Sequence, residues 1–261
     1  MGLMDGKKCL IMGVANQRSI AWGIAQALHR EGAQLAFTSV PDERMQRNLA
    51  KLTGELEGHE SMPIIPCDVQ DSEQIASLFN QLKETWGSLD VFVHSVAFAK
   101  QEDLTGAFSE ISWEGYALAH HISAYSLIET SRHAKPLFDA AGGGSILTLS
   151  YLAAERVVER YNVMATAKSA LECNVRYLAA EFGPDNIRVN AVSAGPLRTL
   201  AASAVKGLSA FRDIMEERAP LRRNVTLEEV GNVGLFLASD LSSCVTGETI
   251  YADSGYNILA V

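Results

Sequence analysis

The chain has 261 residues, 48% apolar and 20% charged, an ordinary globular composition long enough to bury a full core. A formal net charge of −9 excludes the basic footprint that a phosphate backbone demands, so nucleic acid is not an expected partner. No apolar run approaches the ~20 residues of a membrane span, and the opening MGLMDGKKCLIMG runs straight into a strand pattern; no membrane and no secretory leader are expected, and the protein reads as cytoplasmic.

Strand and helix patterns alternate along the chain. A strand over 8–12 precedes a helix over 20–30, whose inner face carries Ala21, Ile24, Ala25 and Leu28 and which Gly32 stops. A second strand covers 34–38, and Pro41 and Asp42 open a polar helix to about residue 56. MPIIPC supplies the third strand, and Asp71 or Ser72 caps the helix after it. LDVFVHS is the fourth strand, followed by one long helical stretch over 113–138. GGGSILTLS turns into the fifth, a helix covers 161–182, and IRVNAVS is the sixth. Residues 198–218 are helical but rich in Ala, Ser and Gly, Thr226 caps a helix to 238, and ETIYAD is the seventh strand. Continuous apolar strands alternating with helices specify a parallel sheet covered on both faces, in one domain spanning 1–261. Cys9, Cys67, Cys173 and Cys244 lack metal-ligand spacing and read as reduced thiols; no metal is expected.

Ligands of such sheets bind beyond the carboxyl ends of the strands. The loops there are rich in Gly, Ser and Ala: GVANQRSIAWG after the first strand, CDV after the third, HSVAFA after the fourth, SYLAAERVVERY after the fifth, SAGPLRTLAAS after the sixth. Gly13 suits a tight turn, Gly23 close helix packing, and the amides at Ser19 and Ile20 a pyrophosphate. TSVPDER at the second strand's tip puts neither an acid nor an arginine directly where a nicotinamide cofactor's ribose is read, which leaves NAD or NADP open. Asp68 either accepts from an adenine amino group or caps the next helix. His94 ends a core strand and reads as a satisfied structural histidine, and His120 and His121 face apart on their helix.

In YNVMATAK, Tyr161 and Lys168 are seven residues apart, close to two helical turns, and so share a face. Either the phenol is held beside an ammonium for acid chemistry, with the lysine lowering its pKa, or the pair is a packing tyrosine and a solvated lysine. The small apolar neighbours of Lys168 call for a polar partner.

Together GVANQRSIAWGIA, CDV, HSVAFA, SYLAAERVVERYNVMATAK, RVNAVSAGPLRTLAAS and PLRRNVTLEEVG resemble the bacterial enoyl-(acyl-carrier-protein) reductases of type II fatty acid synthesis, the diazaborine- and triclosan-sensitive branch of the short-chain dehydrogenase/reductase superfamily. The resemblance runs from Gly6 to Gly255. The seven-residue Tyr–Lys spacing, with Tyr151 ten before Tyr161, marks this branch; members acting on ketones and alcohols place tyrosine four before lysine, where this chain has Met164. It implies a Rossmann-type doubly wound α/β fold with strand order 3-2-1-4-5-6-7, NADH as cofactor, an enoyl chain on acyl carrier protein as substrate, and a homotetramer. It implies that Tyr151, Tyr161 and Lys168 are catalytic, with Lys168 also gripping the nicotinamide ribose. Gly13, Ser19, Ile20, Val40, Asp68, Val69, Ser95, Val96, Pro196, Leu197, Thr199 and Leu200 would line the cofactor. Ala97, Phe98, Tyr151, Tyr161, Met164, Ala201, Ala202 and Val205 would line the substrate, under a lid at about 197–212. Lys206, Arg212, Arg218, Arg222 and Arg223 offer a local patch for the acidic carrier protein. Ala97, Ala153 and Ala165 stand where glycine is expected, His121 where aspartate is, and Ser254 where glycine is.

Overall fold

The computed structural model describes residues 2–197 and 208–260. Seven strands, β1 (Lys8–Met12), β2 (Gln34–Ser39), β3 (Ile64–Pro66), β4 (Val91–His94), β5 (Gly144–Ser150), β6 (Ile187–Ala194) and β7 (Thr249–Ala252), form one sheet in the order β3-β2-β1-β4-β5-β6-β7, parallel throughout. The helices are α1 (Ile20–Arg30), α2 (Glu43–Thr53), α3 (Ser72–Trp86), α4 (Gln101–Thr105), α5 (Trp113–His120), α6 (Ser126–Ala141), α7 (Asn162–Phe182), α8 (Leu208–Arg218) and α9 (Leu227–Ala238). The expected fold and strand order are both present.

Alternation along β1 divides the core. Leu10 and Met12 pack on one face with residues of α3, α6 and α7, whereas Cys9 and Ile11 pack on the other with α1, α2 and α9. The third strand begins after Pro63, which brings no N–H to the ladder, and accommodates Pro66 within it because β3 lies at the edge of the sheet. The predicted helix over 113–138 is broken: His121–Tyr125 forms a π-helical turn between α5 and α6. There Ser126 Oγ donates to the Ile122 carbonyl at 2.6 Å and Ser123 Oγ to the Phe98 carbonyl at 3.3 Å, hydroxyl bonds of the kind that disturb a helical ladder. Apolar periodicity carries no sign of that turn.

Candidate active site

Because all the strands run one way, the loops singled out above lie together on the carboxyl edge. Gly13 has φ +93°, and a Cβ there would run into the Ser95 carbonyl. Only glycine lets these two loops meet; Ser95 N–H donates to the Met12 carbonyl at 3.2 Å beside them. Ser19 is the N-cap of α1, but its hydroxyl turns back to accept from the amides of Ala15 and Asn16, each at 3.0 Å. It makes no side-chain bond to the first turn; the Trp22 and Gly23 amides donate to the Ser19 carbonyl at 3.0 and 3.2 Å, and the amides of Ile20 and Ala21 keep their anion-binding capacity. A glycine-closed loop facing an uncapped helix N-terminus fits a dinucleotide's diphosphate. Gly23 serves the expected close packing: a Cβ on Gly231 of α9 would strike the Gly23 carbonyl.

Val40, 43% exposed, stands just past β2. Asp68 does not cap α3; Asp71 does, accepting from the amides of Glu73 at 2.9 Å and Gln74 at 3.2 Å. The Asp68 carboxylate instead accepts from Gln70 N–H at 2.9 Å, above the buried Val69. After β4, Val96 packs on the core, Ala97 is exposed, and Phe98 is held to the π-turn by its N–H on Ser123 Oγ at 3.0 Å. After β6, Pro196 is buried, while Leu197 joins Arg18, Arg212 and Leu227 around a recess of about 210 Å³. Thr199, Leu200, Ala201, Ala202, Val205 and Lys206 lie outside the described residues, as does most of the expected lid.

At the centre, Tyr151 directly follows β5, and its ring lies 4.9 Å from that of Tyr161, tilted by 58°. Tyr161 is not inside the helix, as expected, but is its N-cap, at φ −121° and ψ 4°. The preceding Arg160 holds φ +63°, a left-handed backbone that a non-glycine residue adopts at a cost. Met164 is buried beneath, in an apolar cluster with Val163 and Ala167 against which Tyr161 packs. Lys168 is only 6% exposed and donates to the Leu149 carbonyl at 2.7 Å, the polar partner its surroundings called for. Burial pulls its pKa down to about 8, against the opposing pull of Glu172. Burial pushes both phenols up, each reinforced by a neighbouring tyrosine. Both influences on the Tyr161 phenol, burial and the neighbouring Tyr151, push its pKa up, contrary to the expected lowering by the lysine, and the phenol keeps its proton.

His94 is as expected: fully buried, bonded to Ser126 Oγ at 2.8 Å and held neutral by burial at a pKa of about 3. Ser254, where glycine was expected, takes φ +59°, and its buried hydroxyl has no partner among the described residues. No cluster of metal-ligating residues occurs among the described residues.

The family model for enoyl-(acyl carrier protein) reductases matches residues 13–257. The chain belongs to that reductase family. It is 52% identical over 260 residues to the NADH-type enoyl-acyl-carrier-protein reductase of Nostoc sp., covering 99% of each chain. It is 48% identical over 256 residues to the NADPH-type enzyme of Staphylococcus aureus, covering 98% of each. The crystal structure of the Bacillus cereus reductase with NADP+ and an indole naphthyridinone superposes with a TM-score of 0.97 at 49% identity over the whole of both chains. Reading the sequence missed one buried acid beside Lys168. Glu172 is buried one helical turn beyond Lys168 and accepts from Ser150 Oγ. The acid in KSALE, four residues after the lysine, was the available signal.

Proposed function

We propose that this reductase saturates the carbon–carbon double bond of trans-2-enoyl thioesters on acyl carrier protein, the last step of an elongation cycle of fatty acid synthesis, using NADH. The observation that carries the reading is the Tyr151–Tyr161 ring pair beside a buried, hydrogen-bonded lysine at the carboxyl end of β5. Gly13, Ser19, Ile20, Val40, Asp68, Val69, Ser95, Val96, Pro196, Leu197, Thr199 and Leu200 would hold the cofactor, and NADH bound there would supply a hydride to the β-carbon of the enoyl group. The π electrons would move onto the thioester oxygen, and collapse of that enolate would take a proton from solvent at the α-carbon to complete the saturation. Tyr161, kept protonated by burial, donates a hydrogen bond to that oxygen as its charge develops. Lys168 orients the nicotinamide ribose through its ammonium donors. Tyr151, Phe98, Ala97, Met164, Ala201, Ala202 and Val205 wall the acyl chain, and residues 197–212 close over it. The chain acts as one domain in the cytoplasm.

NADH rather than NADPH is supported by Val40, a neutral exposed side chain at the tip of β2, and by Arg47 of α2 being paired with Glu43 at 3.4 Å. A homotetramer is supported by aromatic side chains left in solvent on the long helices, Trp113 at 74% and Tyr177 at 76% exposed. Among the described cations of the carrier-protein patch, Arg223 is paired with Glu229 at 2.6 Å and Arg222 donates to the Glu217 carbonyl, which leaves Arg212 and Arg218 there, with Lys206 outside the described residues. The test follows oxidation of NADH with crotonyl thioester, then with a ketone, then with NADPH in place of NADH. Rapid turnover in the first alone supports the reading, and turnover of the ketone overturns it.

A further inference from the structure

Three consecutive residues at the end of β5 receive the three polar groups of the site. The Leu149 carbonyl accepts from Lys168, the Ser150 hydroxyl donates to Glu172, and the Tyr151 ring packs on Tyr161. Lys168 and Glu172 are both only 6% exposed, on the same helix one turn apart. A buried ammonium with only a neutral carbonyl to meet it tends to shed its proton, and a carboxylate one turn away opposes that loss. The Ser150 bond fixes the carboxylate at that distance and satisfies one of its lone pairs.

We propose that Glu172, clamped by Ser150, is a positioning residue that keeps Lys168 charged inside the dry site. The proposal rests on the reading of Lys168 given above. Glu172 itself is pushed up by burial and by Glu155 of the loop after β5, and pulled down by the Ser150 hydroxyl, Arg176 and Lys168 of α7; Tyr251 of β7 also feels its charge. Across the sheet the other titratable group that feels Lys168 is His94 of β4, which is neutral. Glu172 is thus the acid that opposes deprotonation of Lys168.

The test uses the full-length protein with 13C-labelled lysine and follows the Lys168 side-chain resonance against pH without nucleotide, alongside the pH profile of kcat/KM. Lys168→Met identifies the resonance and tests the underlying reading: a variant with unchanged nucleotide affinity and turnover overturns that reading. Given an inactive Lys168→Met, Glu172→Gln is expected to lower the Lys168 midpoint and the alkaline limb of kcat/KM together by about one pH unit or more. Ser150→Ala, which frees the carboxylate and favours its protonated form, moves both the same way by less and serves if Glu172→Gln fails to fold. Glu172→Asp retains the charge and restores most of the shift. An unmoved midpoint in Glu172→Gln, or in Ser150→Ala where only that variant folds, overturns the proposal and leaves Glu172 a packing residue.

Discussion

The two ends of the sheet use polar groups in opposite ways. At the amino edge, an opening of about 270 Å³ is lined by Lys7, Asp90, Asn186, Arg188 and Asp240, among others. Its main charges are spent on structure. Asp90 accepts from Lys7 Nζ and from the Lys8 amide, both at 3.0 Å, and Arg188 donates to the Leu237 and Ser239 carbonyls and the Ser242 hydroxyl at 2.7–3.1 Å. At the carboxyl edge, charged groups are buried with fewer partners, the backbone at Arg160 is in a costly conformation, and two phenols face each other. Satisfied groups hold the sheet together, and under-satisfied ones at the other end remain available to a ligand.

Tyr161→Phe should separate the two ends most sharply. It removes one hydroxyl from the carboxyl edge and leaves the ring packing on Tyr151 and Met164 intact. Removing a donor aimed at developing charge costs about 10²–10³-fold in kcat. The expected result is a loss of that size with the thermal midpoint nearly unchanged, measured by NADH oxidation and calorimetry. A variant that keeps its turnover would place the oxygen's donor elsewhere, with Tyr151 the next to test.

Arg188→Met is the converse. It leaves the carbonyls at the end of α9 without their charged donor, while Ser145 Oγ still reaches Leu237 at 2.8 Å. Stability should fall by about 2 kcal/mol in urea unfolding, with kcat/KM within twofold of the parent. A comparable fall in activity would mean that the amino edge is coupled to the site through β6.

The sheet was legible in the sequence because strand length, apolar runs and turn residues all agree; β1 and α1 begin and end where the pattern puts them. Gly13 and Tyr161 were findable because a turn glycine and a spaced Tyr–Lys pair leave local signs. The π-turn at His121–Tyr125 was not: the Ser126 hydroxyl bonds the Ile122 carbonyl one turn back, as serines in regular helices also do, and the Ser123 hydroxyl meets the Phe98 carbonyl, which only the fold brings near. The same holds for the protonation of the site. Sequence reasoning took the lysine to lower the tyrosine's pKa, but how far each group is buried, and that Lys168 turns to Leu149, is set by packing around β5. Short α4 (Gln101–Thr105) also escaped notice, being too brief to show a period.

The smallest effect expected lies on the helix that spans the two ends. Helix α9 begins beside Gly23 of α1, near the nucleotide loop, and finishes at the carbonyls that Arg188 binds. Its start carries a full capping box: Thr226 Oγ1 accepts from the Glu229 amide at 3.2 Å, and the Glu229 carboxylate accepts from the Thr226 amide at 2.8 Å. The Arg223 guanidinium and the Thr226 amide hold the Glu229 carboxyl down at about 2. A depressed carboxyl stabilises the fold above its unfolded value and loses that contribution as pH falls through the folded one, so this share disappears between about pH 4.5 and pH 2. Both partners are partly in solvent, so screening leaves the cap, rather than the ion pair, as the main contribution. Thr226→Ala should therefore cost about 1 kcal/mol at neutral pH. The cap adjoins Leu227, which packs on Gly23, so the same variant tests whether the start of α9 supports the nucleotide loop. Isothermal titration beside urea unfolding reads both: the unfolding midpoint is expected to drop with NADH affinity within twofold of the parent, and a larger loss of affinity would show that the cap also holds the loop in place.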